Sequence, residues 1–197
     1  MTVIDYRTSN LLSITKALQE VGAIVELTNK PDEIATAEKL VLPGVGAFGA
    51  AVRNMESLGI KQAIVEFGKS GKPLIGICLG MQLLFSVSFE LGINNGLNLM
   101  PGEVVAFNSS MKVPHMGWNK VEFMKPSRLF RDLGGGQYAY FVHSYYAKVD
   151  DNYVSGMTEY GIHFPAIVEN GNVFGIQFHP EKSQSFGLKI LDNFLKA

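Results

Sequence analysis

Only one cysteine, Cys78, occurs in 197 residues, which excludes an internal disulfide and suits a reducing compartment. Charge of one sign is also lacking: 17 Lys and Arg stand against 18 Asp and Glu, for a formal net charge of −1. A nucleic-acid binder needs a basic footprint to neutralise phosphates, so no nucleic-acid partner is expected. No apolar run reaches the length of about eighteen residues that would read as a membrane span. Met1 leads into the strand-like stretch Val3 to Tyr6 without the charged and apolar regions of a signal peptide. A cytoplasmic chain with no membrane contact is expected. Repeats and low-complexity linkers are missing too, so one domain over residues 1–197 is the expectation, burying about 70% of its unfolded surface.

What is present is a sequence that is 47% apolar and patterned in alternation. Strand-like Val3 to Tyr6, Ala23 to Thr28, Lys39 to Leu42 and Leu74 to Ile77 are interleaved with helix-like Leu11 to Val21, Phe48 to Leu58 and Ile60 to Lys69. Such alternation implies crossovers and a parallel sheet, hence an α/β fold. From Glu103 to Phe178 the pattern turns to strands, with Asn170 and Gly171 as a hairpin signal, and an antiparallel extension is expected there. Leu188, Leu191 and Leu195, with Ile190 and Phe194 beside them, predict a last helix packing an apolar stripe on the sheet.

Cys78 lies in Gly76, Ile77, Cys78, Leu79, Gly80, between the strand ending at Ile77 and a helix expected over Met81 to Val87. A Gly-x-nucleophile-x-Gly elbow lets the backbone crowd together while the side chain stands at the tip. A thiol with a pKa of about 8.5 is only slightly ionised at neutral pH, and a helix N-terminus favours its anion. Against this stands the behaviour of most unpaired cysteines, which are buried and act as small hydrophobes. A nucleophile needs a base and a group to orient that base. Both occur a hundred residues on, where a strand read over Asn172 to Phe178 runs into His179, Pro180, Glu181, Lys182, Ser183. Residues i and i+2 of extended backbone share a face, and Pro180 keeps His179 extended, so Glu181 can fix the imidazole. Glu181 and Ser183 also suit the opening of the last helix, and both roles can hold together. A zinc site is weaker, with neither a second cysteine nor a His-Glu-x-x-His spacing, so no metal and no cofactor are expected. Of the other histidines, His115 and His163 read as structural, while His143, followed by Ser144 and Tyr145, reads as a substrate contact.

The run Ile75 to Phe85 and the run Gln177 to Glu181 together resemble the class I glutamine amidotransferases. Leu42 to Phe48, Val113 to Asn119 and Glu181 to Gln184 narrow the resemblance to one branch, glutaminase subunits that serve histidine biosynthesis. It implies a three-layer fold whose mostly parallel central sheet has an antiparallel extension, and hydrolysis of L-glutamine to glutamate and ammonia through a cysteinyl thioester. Cys78, His179 and Glu181 become the catalytic triad. Leu79, with Gly44 or Val45, becomes the oxyanion hole, and Gly46, Gln82, His143, Ser144 and Tyr145 the substrate contacts, although Gln82 also fits a plain helix surface. The loop Pro43 to Gly46 otherwise reads as an ordinary Gly-rich turn; a phosphate cradle is rejected because no Gly-Lys-Ser/Thr follows. The resemblance also implies a separate (β/α)8 synthase that makes imidazole glycerol phosphate and AICAR, with Trp118 and Lys182 facing it. A glutaminase for another synthase and a non-catalytic binding module on the same fold remain as alternatives. One departure is present: Arg7 and Ser9 stand where the family has glycines, so a different loop path is expected there.

Overall fold

The computed structural model describes residues 1–7, 11–108 and 110–197. The first half follows the expected alternation: β1 (Thr2–Ile4), α1 (Leu11–Glu20), β2 (Glu26–Thr28), α2 (Pro31–Thr36), β3 (Leu40–Leu42), α3 (Phe48–Ser57), α4 (Lys61–Lys69) and β4 (Leu74–Ile77). α2 was not read from the sequence, because Ile34 is its only buried residue and leaves no periodicity to detect. Pro31 at its start and Asp32 and Glu33 in its first turn are the signals that mark it.

After β4 come α5 (Leu79–Leu83), β5 (Val87–Ser88), β6 (Asn94–Asn95) and β7 (Glu103–Ala106). The helix expected over Met81 to Val87 is therefore shifted and cut short. Returning chain takes the carbonyls that would extend it: Leu97 N–H donates to Leu83 O and Leu99 N–H to Leu84 O, each at 2.8 Å. The strands β8 (His115–Phe123), β9 (Gln137–His143), β10 (Tyr145–Lys148), β11 (Val154–Glu159), β12 (His163–Asn170) and β13 (Val173–Ile176) then precede α6 (Gln184–Leu195). The β12–β13 hairpin turns on Gly171 and Asn172, one residue later than read, with Gly171 at φ +59° in the first loop position.

Among the described residues nine strands form the main sheet, in the order β2-β1-β3-β4-β13-β12-β11-β8-β9. β2 through β13 run parallel, and β12, β11, β8 and β9 extend the sheet antiparallel. The parallel strands β1, β3, β4 and β13 are buried on both faces and read as apolar runs, while the edge strand β2 leaves Glu26 and Leu27 exposed. Ile4, Leu40, Leu42 and Leu74 pack toward Ile34, Phe48, Met55, Ile64 and Phe67 of the helices on one side. Val3, Val41, Ile75 and Ile77 face Ile14, Leu18, Ile190, Leu191 and Phe194 of α1 and α6 on the other. That is the expected three-layer arrangement, with a small second sheet, β10-β7-β5-β6, beside it.

One connection matters most for chemistry. The late strand β13 inserts beside β4 with Ile176 opposite Ile77 and Gly175 opposite Gly76. Residues a hundred positions apart thereby leave the sheet side by side at its carboxyl edge, where open α/β sheets hold ligands. Of the N-terminal loop, Arg7 takes φ +64° while its N–H donates to Asp5 Oδ1 at 2.9 Å. That local bond offsets part of a left-handed cost of about 1–2 kcal/mol. The path expected to differ continues through residues 8–10, Ser9 among them, outside the described residues.

Candidate active site

Cys78 sits at the tip of the turn from β4 into α5 with φ +54° and ψ −109°, a strained conformation for a residue with a Cβ. Two glycines make the turn possible. A Cβ on Gly76 would lie 2.5 Å from Gly80 O, and one on Gly80 would lie 1.8 Å from Leu42 O. Cys78 N–H donates to Ile176 O at 2.8 Å, which ties the elbow to the end of β13. α5 has only five residues, so the elbow offers the sulfur no long helix dipole.

The second group leaves β13 as Gln177, Phe178 and His179. His179 is extended, at φ −95° and ψ 101°, but the next residues, Pro180–Lys182, form a 3-10 turn. The pairing of His179 with Glu181 is thus correct, whereas the extended backbone expected to produce it is not. The turn itself curls the carboxylate back to the ring, with His179 Nδ1 2.8 Å from Glu181 Oε1 and both side chains only 2% exposed. Ser183 Oγ donates to His179 O at 2.6 Å and accepts from Tyr140 N–H at 2.9 Å, fixing the turn to β9. His179 Nε2 is buried and closes no hydrogen bond among the described residues. Burial alone would lower the His179 pKa, but the Cys78 sulfur and the Glu181 carboxylate outweigh it and raise the imidazole to about 10. The site therefore favours the imidazolium form of His179 at neutral pH.

Both groups open onto a cavity of about 450 Å³, lined also by Val45, Gly46, Leu79, Gln82, Glu90, Pro114, Val142, His143, Ser144 and Tyr145. All five expected substrate contacts are on this wall. The residues expected to form an oxyanion hole converge, but the Leu79 N–H is already taken: it donates to Gly44 O at 3.3 Å. The carbonyl of the Gly44–Val45 peptide thus occupies the donor that an oxyanion would need. Gln82 is not plain surface. It is 5% exposed, and its Nε2 donates to Tyr145 O at 3.0 Å and to Gln177 Oε1 at 3.1 Å.

Three side chains here were missed or misjudged by sequence reasoning. Glu90, on no motif, brings a carboxylate to the cavity wall and accepts from Phe48 N–H at the start of α3 at 2.6 Å. Gln177 places its amide 3.8 Å from Cys78 Sγ. His115 has the partner that the sequence did not reveal, since its Nδ1 lies 3.0 Å from His143 Nε2. The only available signal for Glu90 is an acid set among the apolar residues Phe89, Leu91 and Ile93. His163 is exposed beside Glu159 and away from the cavity. Trp118 and Lys182 also lie outside it, next to one another across Tyr140: Trp118 is 48% exposed and meets the Tyr140 ring edge-on, and Lys182 Nζ stands 5.7 Å from that ring.

Comparison with known proteins places this geometry. The family model described as glutamine amidotransferase class-I matches residues 2–197. A protein of Moorella thermoacetica named imidazole glycerol phosphate synthase subunit HisH is 51% identical over 195 residues, covering 98% of this chain and 93% of the relative. A protein of the same name from Carboxydothermus hydrogenoformans is 50% identical over 192 residues, covering 97% and 96%. Among solved structures, PurLQS from Thermotoga maritima superposes with a TM-score of 0.78 at 23% identity, covering 99% of this chain and 96% of the other. The fold, the elbow and the full-length similarity agree, and the chain belongs to the class-I glutamine amidotransferases.

Proposed function

We propose that this chain is the glutaminase subunit of an imidazole glycerol phosphate synthase, hydrolysing L-glutamine and passing ammonia to a separate (β/α)8 synthase subunit that makes imidazole glycerol phosphate and AICAR in histidine biosynthesis. The observation that supports it most is the placing of Cys78 and the Glu181-paired His179 on the wall of one cavity with room for glutamine. Cys78 thiolate attacks the carboxamide carbon of glutamine, and the carbonyl oxygen takes the negative charge. His179 gives its proton to the departing amine, ammonia leaves, and a thioester remains. His179, now neutral, removes a proton from water, which attacks the thioester and releases glutamate. Glu181 holds the ring in the tautomer this requires.

The remaining groups bind. Glu90 is the one acidic side chain among the described lining residues, which suits the α-ammonium of glutamine. Both amide hydrogens of Gln82 are committed to Tyr145 O and Gln177 Oε1, so Gln82 can offer a substrate only its carbonyl oxygen, an acceptor. Gly46, His143, Ser144 and Tyr145 complete the wall. The hole itself needs a rearrangement: rotating the Gly44–Val45 peptide withdraws Gly44 O from Leu79 N–H and brings Val45 N–H in, so that two donors face the oxyanion. Docking of the synthase on the face bearing Trp118 and Lys182 drives that rotation. Glutamate formation by the purified chain, with and without the synthase subunit, tests the reading. The chain alone should turn over slowly, and the complex faster by about 10²–10³, the worth of one oxyanion donor. Full activity of the isolated chain, or none in the complex, contradicts it.

A further inference from the structure

We propose that Gln177 is a positioning residue for the reaction: its buried side-chain amide donates a hydrogen bond to the Cys78 sulfur and holds the thiolate in place before glutamine enters. The proposal rests on Cys78 being the nucleophile and adds a group that the triad does not contain.

Three observations lead there. First, the pairing of Ile176 with Ile77 sets Gln177 beside Cys78 across two parallel strands, and Gln177 is fully buried. A buried amide is costly unless its polar atoms are satisfied, and its partners here are Gln82 and the sulfur. Second, the orientation of the amide follows from its neighbours. Tyr145 O can only accept, so Gln82 must present Nε2 to it, and the second hydrogen of that Nε2 goes to Gln177 Oε1. The oxygen of Gln177 is thereby committed to Gln82, and its Nε2 is left to face Cys78 Sγ at 3.8 Å. Third, the anchor of this chain is itself held. His143 Nδ1 donates to the same Tyr145 O at 2.8 Å, which leaves His143 Nε2 to accept from His115 Nδ1 at 3.0 Å. Asn119 Nδ2 then donates to His115 Nε2 at 3.3 Å. Every hydrogen in the sequence from Asn119 to the sulfur has one possible direction.

The sulfur has two alternative neighbours, matched to its two protonation states. As a thiol it can donate to Val142 O, 4.0 Å away; as a thiolate it needs a donor, and Gln177 supplies one. The amide is neutral, so it favours the anion without competing with His179 for a proton. The titratable groups that share the cavity with the sulfur are His179 with Glu181 behind it, His143, Tyr145 and Glu90.

The test is the pH dependence of Cys78 alkylation by iodoacetamide in the full chain, which needs no glutamine. Gln177→Met removes the donor at similar size and should move the midpoint of alkylation upward by about one unit, slowing the reaction about tenfold below it. Gln177→Glu, placing a carboxylate against the sulfur, should move it further. Folded variants, judged by near-ultraviolet circular dichroism, with an unchanged midpoint overturn the proposal. Should the variants not fold, the side-chain NH2 resonances of Gln177 in the unaltered chain decide: they should follow the Cys78 titration and cease to do so in Cys78→Ala, and resonances indifferent to it overturn the proposal. A negative result here leaves glutamine hydrolysis intact, whereas failure of the glutaminase assay says nothing about this hydrogen bond, so the two claims fall separately.

Discussion

In the proposed mechanism Glu181 acts through the ring it holds, His179, whose Nδ1 lies 2.8 Å from its Oε1. Replacing it by Gln keeps the shape but lets the amide present a donor to His179 Nδ1, favouring the wrong tautomer. Glu181→Gln in the assembled complex should lower kcat by about 10²–10⁴ with little change in KM for glutamine, as steady-state kinetics would show. Cys78, His179 and Glu181 were legible because each sits in a short local pattern of glycine, proline and acid that constrains the backbone. Glu90 and Gln177 were not, because what gives them a role is cross-strand or loop-to-helix proximity. No spacing along the chain reveals that Ile176 will pair with Ile77, and the amide of Gln177 has meaning only once it does.

At the scale of elements, the strand-to-helix elbow depends on close approach of backbone to backbone. Gly80→Ala would set a methyl 1.8 Å from Leu42 O, and the chain should lose about 1–3 kcal/mol of stability, measurable as a lowered urea midpoint. The β8–β9 pair carries a second test. Its registered residues His115 and His143 face each other in the interior. Burial pushes His143 down to about 3 and His115 to about 4. Between about pH 6.5 and 4 the unfolded chain binds protons that the folded chain refuses, so stability must fall as pH falls through that window. His143 alone gives a slope approaching about 1.4 kcal/mol per pH unit. His179 acts in the other direction: its raised pKa stabilises fully below about 6.5 and is lost as pH rises toward about 10. Urea midpoints measured from pH 4 to 10 should therefore peak near neutrality, and a flat acid limb would contradict the neutral His115–His143 pair. The shortened α5 was beyond the sequence for a similar reason, since chain from Leu97 to Leu99 captures the carbonyls that local propensity would leave to the helix.

On the scale of the whole molecule, two halves of different character are joined by one sheet: the alternating first half supplies the parallel strands β1 to β4, and the strand-rich second half supplies the antiparallel ones together with β13, which joins the parallel set. The change of pattern was visible in the sequence; the insertion of β13 next to β4, which assembles the site, was not. The face bearing Trp118, Tyr140 and Lys182 lies outside the cavity, and aromatic residues of this kind dominate association energies. Trp118→Ala should weaken binding to the synthase subunit by about 2 kcal/mol or more in calorimetry, while the saturated complex keeps its KM for glutamine. The most direct test of the central claim is single-turnover mass spectrometry of the acid-quenched complex with glutamine. A glutamyl adduct on Cys78 should form as ammonia is released and decay as glutamate appears. Glutamate appearing with no adduct at any time, or at an unaltered rate in Cys78→Ala, would contradict it.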